Sequence, residues 1–256
     1  MKHLCCAGAA LLVSMNVSAT ELNLEQKVQV LIDAYPQVLS HQQEGYLYSY
    51  SGAKWLIEDG LKKTHQQALE NPDIEDSLRQ QYPLFSCEQV VKKDFDPGRV
   101  RHQSLMMALY GEHKKSVVKQ LKLIKWFDQS LRVTQKQNVA AALIEVQKEL
   151  LKDSALKRYA TPSAGVFNWR FISGTQRLSV HSFGAAIDLN LKFADYWKWR
   201  SIGDSELLSF KNKYPRKLIE IFEKHGFIWG GKWYHYDSMH FEYRPELLKI
   251  SRMQGC

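Results

Sequence analysis

The chain has 256 residues, of which 45% are apolar, 12% aromatic and 24% charged, with a formal net charge of +8. That length and balance supply a sizeable core and exclude a peptide hormone, a disulfide-stapled mini-domain, a collagen-like repeat and a disordered scaffold. No apolar run approaches the ~18–20 residues that cross a bilayer, which excludes a multi-pass membrane protein.

Lys2 and His3 form a short basic start, residues from Leu4 to Val17 are mostly apolar or small, and Val17-Ser18-Ala19 is a small-residue cleavage site. The segment reads as a secretory signal peptide cleaved after Ala19. It predicts a periplasmic or secreted protein with no stable membrane anchor after cleavage. Cys5 and Cys6 precede the apolar stretch, whereas a lipid-anchored cysteine follows it. Cys87 and Cys256 remain in the mature chain. In an oxidising compartment the even pair predicts one disulfide, with two independent thiols as the alternative. The positive charge suits an anionic partner, and an exported protein meets anionic cell-envelope polymers more often than nucleic acid. No long basic run or nucleic-acid motif occurs, so no nucleic-acid partner is expected.

Residues 20–135 read as a mainly helical N-terminal region whose role no residue identifies. Apolar groups at Leu24, Val28, Leu31 and Ile32 give helical spacing over Leu24–Ser40, and Tyr-rich Tyr46–Ser51 predicts a short strand. Asp94–Arg99 is a turn signal, and Val117–Trp126 is a further helical candidate. Residues 136–256 read as a separate domain. Asn138 is placed to cap a helix with the stripe Val139, Leu143, Val146 and Leu150. Beyond it five of the seven Trp fall between Trp169 and Trp233. Short strands are expected around Phe167–Ile172, Ala185–Asn190 and Met239–Tyr243. One helix starts at Pro215, carries Leu218, Ile219 and Phe222, and ends at Gly226. The fold class is therefore α+β: a small antiparallel sheet flanked by helices, carrying a metal site, behind a mainly helical N-terminal region.

The chemistry lies in two segments. In Ser179–Asn190, Gly184 permits a turn between His181 and Asp188, and Asp188 follows on a strand whose neighbours are apolar. A carboxylate there needs a cation or several donors. In Gly230–Glu242, Asp237 sits three residues before His240, and His240 shares a strand face with Glu242. Taken singly, each histidine suits a structural network in a core. Taken together, two imidazoles and a carboxylate make a three-ligand zinc set with a fourth position open, and Asp237 stands where a general base reaches water there.

Ser179-x-His181-x-x-Gly184-x-Ala186-x-Asp188, followed by Asp237-x-x-His240-Phe241-Glu242, resembles the zinc D-alanyl-D-alanine carboxypeptidase/endopeptidase family, which includes VanY-type and VanX-type enzymes and phage endolysin peptidases. The likeness extends to Phe167–Arg170, Gly174–Ser179, Trp229–Trp233 and Glu242–Glu246, over roughly Asn138 to Leu248. Asp96-Pro97-Gly98-Arg99 matches an upstream segment less specifically. The resemblance implies that His181, Asp188 and His240 hold one Zn2+ per chain. It also implies that Asp237 is the base and that Arg170 polarises the scissile carbonyl. Arg177, Ser179, Trp233 and Tyr236 are candidate substrate contacts, and His235 is expected beside the ligands and not among them. The implied activity is zinc-dependent hydrolysis of the peptide stems of bacterial peptidoglycan, as carboxypeptidase or endopeptidase. The competing reading is a non-catalytic zinc module on the same scaffold, as in the hedgehog signalling domain.

Overall fold

The computed structural model describes residues 21–85, 91–199 and 210–255. The expected signal peptide and the Cys87–Cys256 pair lie outside the described residues. Helix α1 (Leu24–Ala34) starts at a capping box in which Asn23 and Gln26 satisfy each other's backbone N–H, and it buries Val28, Val30, Leu31 and Ile32. It stops short of Ser40 because Pro36 disfavours helical backbone at Tyr35.

The chain then forms an antiparallel meander of β1 (Leu39–Gln43), β2 (Tyr46–Ser49) and β3 (Lys54–Leu56). Short helices α2 (His65–Glu70), α3 (Ile74–Leu78), α4 (Gln103–Tyr110) and α5 (Lys114–Val118) follow. Next comes the hairpin β4 (Leu121–Trp126) and β5 (Gln129–Thr134). Two sheets therefore stand where the sequence predicts a mainly helical region. Val117–Trp126 is not one helix. Val117, Leu121 and Ile124 have helical spacing, but Ile124 and Trp126 also alternate with exposed Leu123 and Lys125, and pairing with β5 selects the strand.

Asn138 does not cap α6 (Val139–Leu150) with its side chain. Gln137 and Asn138 both take left-handed backbone, at φ 55° and 63°, and turn the chain from β5 into the helix. Helix α7 (Ser154–Ala160) follows. The predicted strand at Phe167–Ile172 is irregular chain touched by a single bridge, Phe171 to Leu178.

The third sheet positions the site. Its strands β6 (Ala186–Asp188), β7 (Phe227–Trp229) and β8 (His240–Tyr243) run in the order β6-β8-β7, all antiparallel. Helix α8 (Arg216–Lys224) begins after Pro215 and buries Leu218, Ile219, Ile221 and Phe222, and α9 (Pro245–Met253) closes the described chain. Phe222 packs on Phe241 of β8 with ring centroids 4.2 Å apart. The largest core cluster runs from Leu22 to Ile250 and joins α1, the meander, the hairpin and the third sheet; α1 packs on α9 and α6 on α8.

Gly184 links the hairpin to the site. Its φ of 67° lies in the left-handed region, and a Cβ there would stand 2.8 Å from Leu121 Cδ2 and 3.1 Å from the Thr134 nitrogen. Its carbonyl accepts from that same N–H at 3.1 Å. Gly184→Ala combines backbone strain with overpacking, and we expect it to destabilise the protein by roughly 1–3 kcal/mol. Denaturant titration checks this, and an unchanged midpoint would remove Gly184 from this role.

Candidate metal centre

Pairing between β6 and β8 sets Asp188 directly opposite His240. The turn Val180–Phe183, capped by the Ser179 hydroxyl accepting from the His181 N–H, brings His181 to the same point. His181 Nε2 lies 3.2 Å from His240 Nδ1 and 3.2 Å from Asp188 Oδ1, and His240 Nδ1 lies 3.1 Å from Asp188 Oδ1. Ligands held about 2.0 Å from a tetrahedral zinc stand about 3.3 Å from one another, so this near-equilateral triangle has the size of one face of that tetrahedron.

The outer hydrogen bonds decide which nitrogens face inward. His181 Nδ1 stands 2.7 Å from the Val166 carbonyl, which only accepts, so Nδ1 carries the proton and Nε2 is bare. His240 Nε2 stands 3.1 Å from Glu242 Oε2 and donates to that carboxylate, which leaves Nδ1 bare. Three donor atoms thus converge in a buried corner, an arrangement that suits a cation.

A proton on His240 Nδ1 can also supply that positive charge, and a metal ion would displace it. Burial opposes charge on His240, yet hydrogen bonds to Asp188 and Glu242 push its pKa up to about 10. Burial likewise opposes charge on Asp188, yet His181 and His240 hold its carboxyl well below the usual range. The donor set of two neutral imidazoles and a carboxylate fits zinc.

Glu242 is fully buried. Burial raises its pKa, but Arg101 and His240 outweigh that and bring it down to about 2. Arg101 Nη1 donates to its Oε2 at 2.9 Å and Arg244 Nη1 reaches its Oε1 at 3.4 Å. Arg244 also donates to the Gly98 carbonyl at 2.8 Å and to Glu246, which accepts from Tyr35 of the α1 end at 2.7 Å. The sequence places Glu242 on the face of His240 but assigns it no role. Nothing in the sequence distinguishes Arg101 from a surface charge. Gly98, at φ 95°, packs its Cα against the third sheet: a Cβ there would stand 2.4 Å from Ile228 Cδ1 of β7.

Asp237 lies beside this group. Its Oδ1 is buried and has no hydrogen-bond partner among the described residues. Burial first, then the Asp188 charge, raise its pKa to about 6 against the pull of His240, Arg99 and His181. A buried, unpartnered carboxylate oxygen near three converging ligands leaves an acceptor for a water molecule or its proton.

The other candidates are spread around this centre. Arg170 is exposed, and its charge reaches Tyr196, which pairs through its backbone with Asp237. Arg177 is half-buried, and desolvation together with the nearby Arg101 and Arg99 lowers its pKa to about 10. Trp233 is buried with its indole N–H on the Pro97 carbonyl at 2.7 Å and its ring 5.7 Å from that of His240. Tyr236 is buried and stacks on Phe210. His235 is not in the triangle: its Nδ1 lies 2.6 Å from Asp96 Oδ2.

Residues 173–243 match the family model described as D-alanyl-D-alanine carboxypeptidase. The matched stretch contains His181, Asp188, Asp237 and His240, while Arg170 precedes it. No curated protein and no solved structure matched the chain.

Two variants test how the ligand triangle is held. His240→Ala should remove the zinc bound at this centre. Glu242→Gln keeps all three ligands but loosens His240, and zinc affinity should fall about 10–100-fold. Competition against a chromophoric chelator reads both, and an unchanged affinity in Glu242→Gln would show that the carboxylate does not orient the ligand.

Proposed function

We propose that this protein is an exported zinc metallopeptidase that hydrolyses peptide bonds in the peptide stems of bacterial peptidoglycan, as a D-alanyl-D-alanine carboxypeptidase or a related endopeptidase. The observation that carries the reading is the triangle of His181 Nε2, Asp188 Oδ1 and His240 Nδ1, with separations of 3.1–3.2 Å, beside an unpartnered Asp237 carboxylate. The family match over residues 173–243 supports the substrate class. The signal-like N-terminus and the net charge of +8 support export to an anionic envelope.

His181, Asp188 and His240 would hold the zinc. When bound, it supplies Lewis acidity that polarises a carbonyl and makes water acidic enough to ionise near neutral pH. The chain's own groups do the rest. Asp237 Oδ1 accepts the proton of the attacking water and returns it to the departing amine. The side chain of Arg170, exposed at the rim, approaches the scissile carbonyl of a bound peptide and offsets the negative charge that develops on its oxygen. Glu242 and Val166 hold the two imidazoles so that neither turns during the reaction. Arg177, whose Nε is buried without a hydrogen-bond partner among the described residues, is available to a carboxylate of the substrate.

Asp237→Asn separates the base from the ligands. The amide is nearly isosteric but does not take up a proton, so zinc content should stay intact while turnover falls at least ~100-fold. The assay pairs zinc per chain with hydrolysis of a D-Ala-D-Ala-terminated stem peptide and of purified sacculi. Loss of zinc in Asp237→Asn would make Asp237 a ligand. A zinc-loaded wild type that cleaves neither substrate would favour a non-catalytic zinc module.

A further inference from the structure

We propose a second metal site, formed by His65, Asp96 and His235, that takes a divalent transition-metal ion such as zinc and clamps the N-terminal region to the segment carrying Asp237. His65 is the first residue of α2, Asp96 lies in the turn before Arg99, and His235 precedes Asp237 by two positions. Chain segments far apart in sequence thus meet at one carboxylate. Each residue offers one donor atom, and the three atoms lie within 4.8 Å of one another. The donor set, two imidazoles and a carboxylate, is the same as in the first centre and suits zinc with further positions open to water.

Asp96 is fully buried. Burial disfavours its charge, but the hydrogen bond from His235, the close approach of His65 and the nearby Arg99 keep it ionised. Its Oδ1 accepts from the His235 backbone N–H at 2.8 Å, which fixes the carboxylate and leaves Oδ2 facing both rings. His235 Nδ1 stands 2.6 Å from Oδ2 and His65 Nε2 stands 3.0 Å from it. The His65 nitrogen is buried, and although close it is not aligned to hydrogen-bond that oxygen. His65 Nε2 is thus left without a hydrogen-bond partner among the described residues while it faces the carboxylate oxygen that His235 Nδ1 already reaches, so a donor at this cluster is free for an ion. The two rings lie nearly parallel, 12° apart, with centroids separated by 5.8 Å. Trp197 and Tyr234 pack edge-on against the His235 ring, at 4.7 and 4.8 Å, and hold it in place. The neighbouring Arg99 directs Nη1 to the His235 carbonyl at 2.8 Å.

The site does more than join two segments. The 95–99 turn is already laced to the 233–235 segment by the Tyr234 N–H on the Phe95 carbonyl and the Trp233 indole on Pro97. An ion across His65, Asp96 and His235 extends that lacing to α2 and fixes the approach to Asp237. The sequence implies one zinc per chain; this site raises the number to two.

The experiment uses the purified mature chain, loaded with zinc, passed over a desalting column and assayed for zinc per chain by mass spectrometry. Wild type should hold two equivalents, His65→Ala one, His181→Ala one and the double variant none. Circular dichroism verifies folding, and Asp96→Asn serves as the second probe of the same site, also with one equivalent expected. Cobalt substitution in His181→Ala should give a visible d–d absorption that His65→Ala abolishes. One equivalent in wild type that His65→Ala and Asp96→Asn both retain would overturn the proposal and leave the first centre standing. One equivalent lost in His65→Ala but kept in His181→Ala would support this site and sink the first.

Discussion

A fully buried glutamate governs the architecture around the site. Glu242 lies inside the protein on the strand that carries His240, and burying its charge is tolerable only because Arg101, Arg244 and the His240 ring surround it. Removing one partner of such a pair typically costs about 3–5 kcal/mol, because the other charge stays buried. The residues that meet this demand come from two stretches of the chain about 140 positions apart. Arg101 arrives from the turn before α4, and Arg244 ties the Gly98 carbonyl to Glu246 and, through it, to Tyr35. The N-terminal region is thus packed into the support of the ligands, and it shares the main hydrophobic core with the third sheet. The placement of the candidate ligand His240 and the stability of the fold rest on the same ion-pair network.

Strand register explains why distant sequence positions meet. Asp188 and His240 are cross-strand partners, and a shift of one residue would turn both to the opposite face. The turn through Gly184 brings His181 to the same corner while bonding to the β4–β5 hairpin. Satisfied polar groups surround this corner, and the contrast with Asp237 Oδ1 is chemically informative. His181, Asp188, His240 and Glu242 all have hydrogen-bond partners, whereas Asp237 Oδ1 has none among the described residues and stays open as an acceptor.

That His181, Asp188 and His240 come together was legible because metal chemistry limits the donor types and the strand period fixes which residues share a face. His181, Asp188, Asp237 and His240 follow from their spacing and motif. The helices α1, α6 and α8 follow from apolar stripes, and the α8 boundaries from Pro215 and Gly226. The β4–β5 hairpin was hidden because Val117, Leu121 and Ile124 fit a helix as well as a strand, and the Phe127-Asp128 turn carries no glycine. The α6 start was misread because Asn138 serves as a left-handed turn residue and not as a side-chain cap. Glu242, Arg101 and Asp96 were hidden for a different reason. A buried charge reads like any surface charge until its partners are known, and Arg101 for Glu242 and His235 for Asp96 lie more than a hundred positions away.

The account depends on which atoms meet the ion. Glu242 accepts a proton from His240 Nε2, and the Val166 carbonyl accepts one from His181 Nδ1, so under the proposed function the two histidines would bind through different nitrogens. Anomalous diffraction at the zinc edge from zinc-loaded crystals measures this directly. The prediction is an ion about 2.0–2.2 Å from His181 Nε2, His240 Nδ1 and an Asp188 oxygen. An ion bound through His240 Nε2, or no anomalous peak among these three residues, would contradict it.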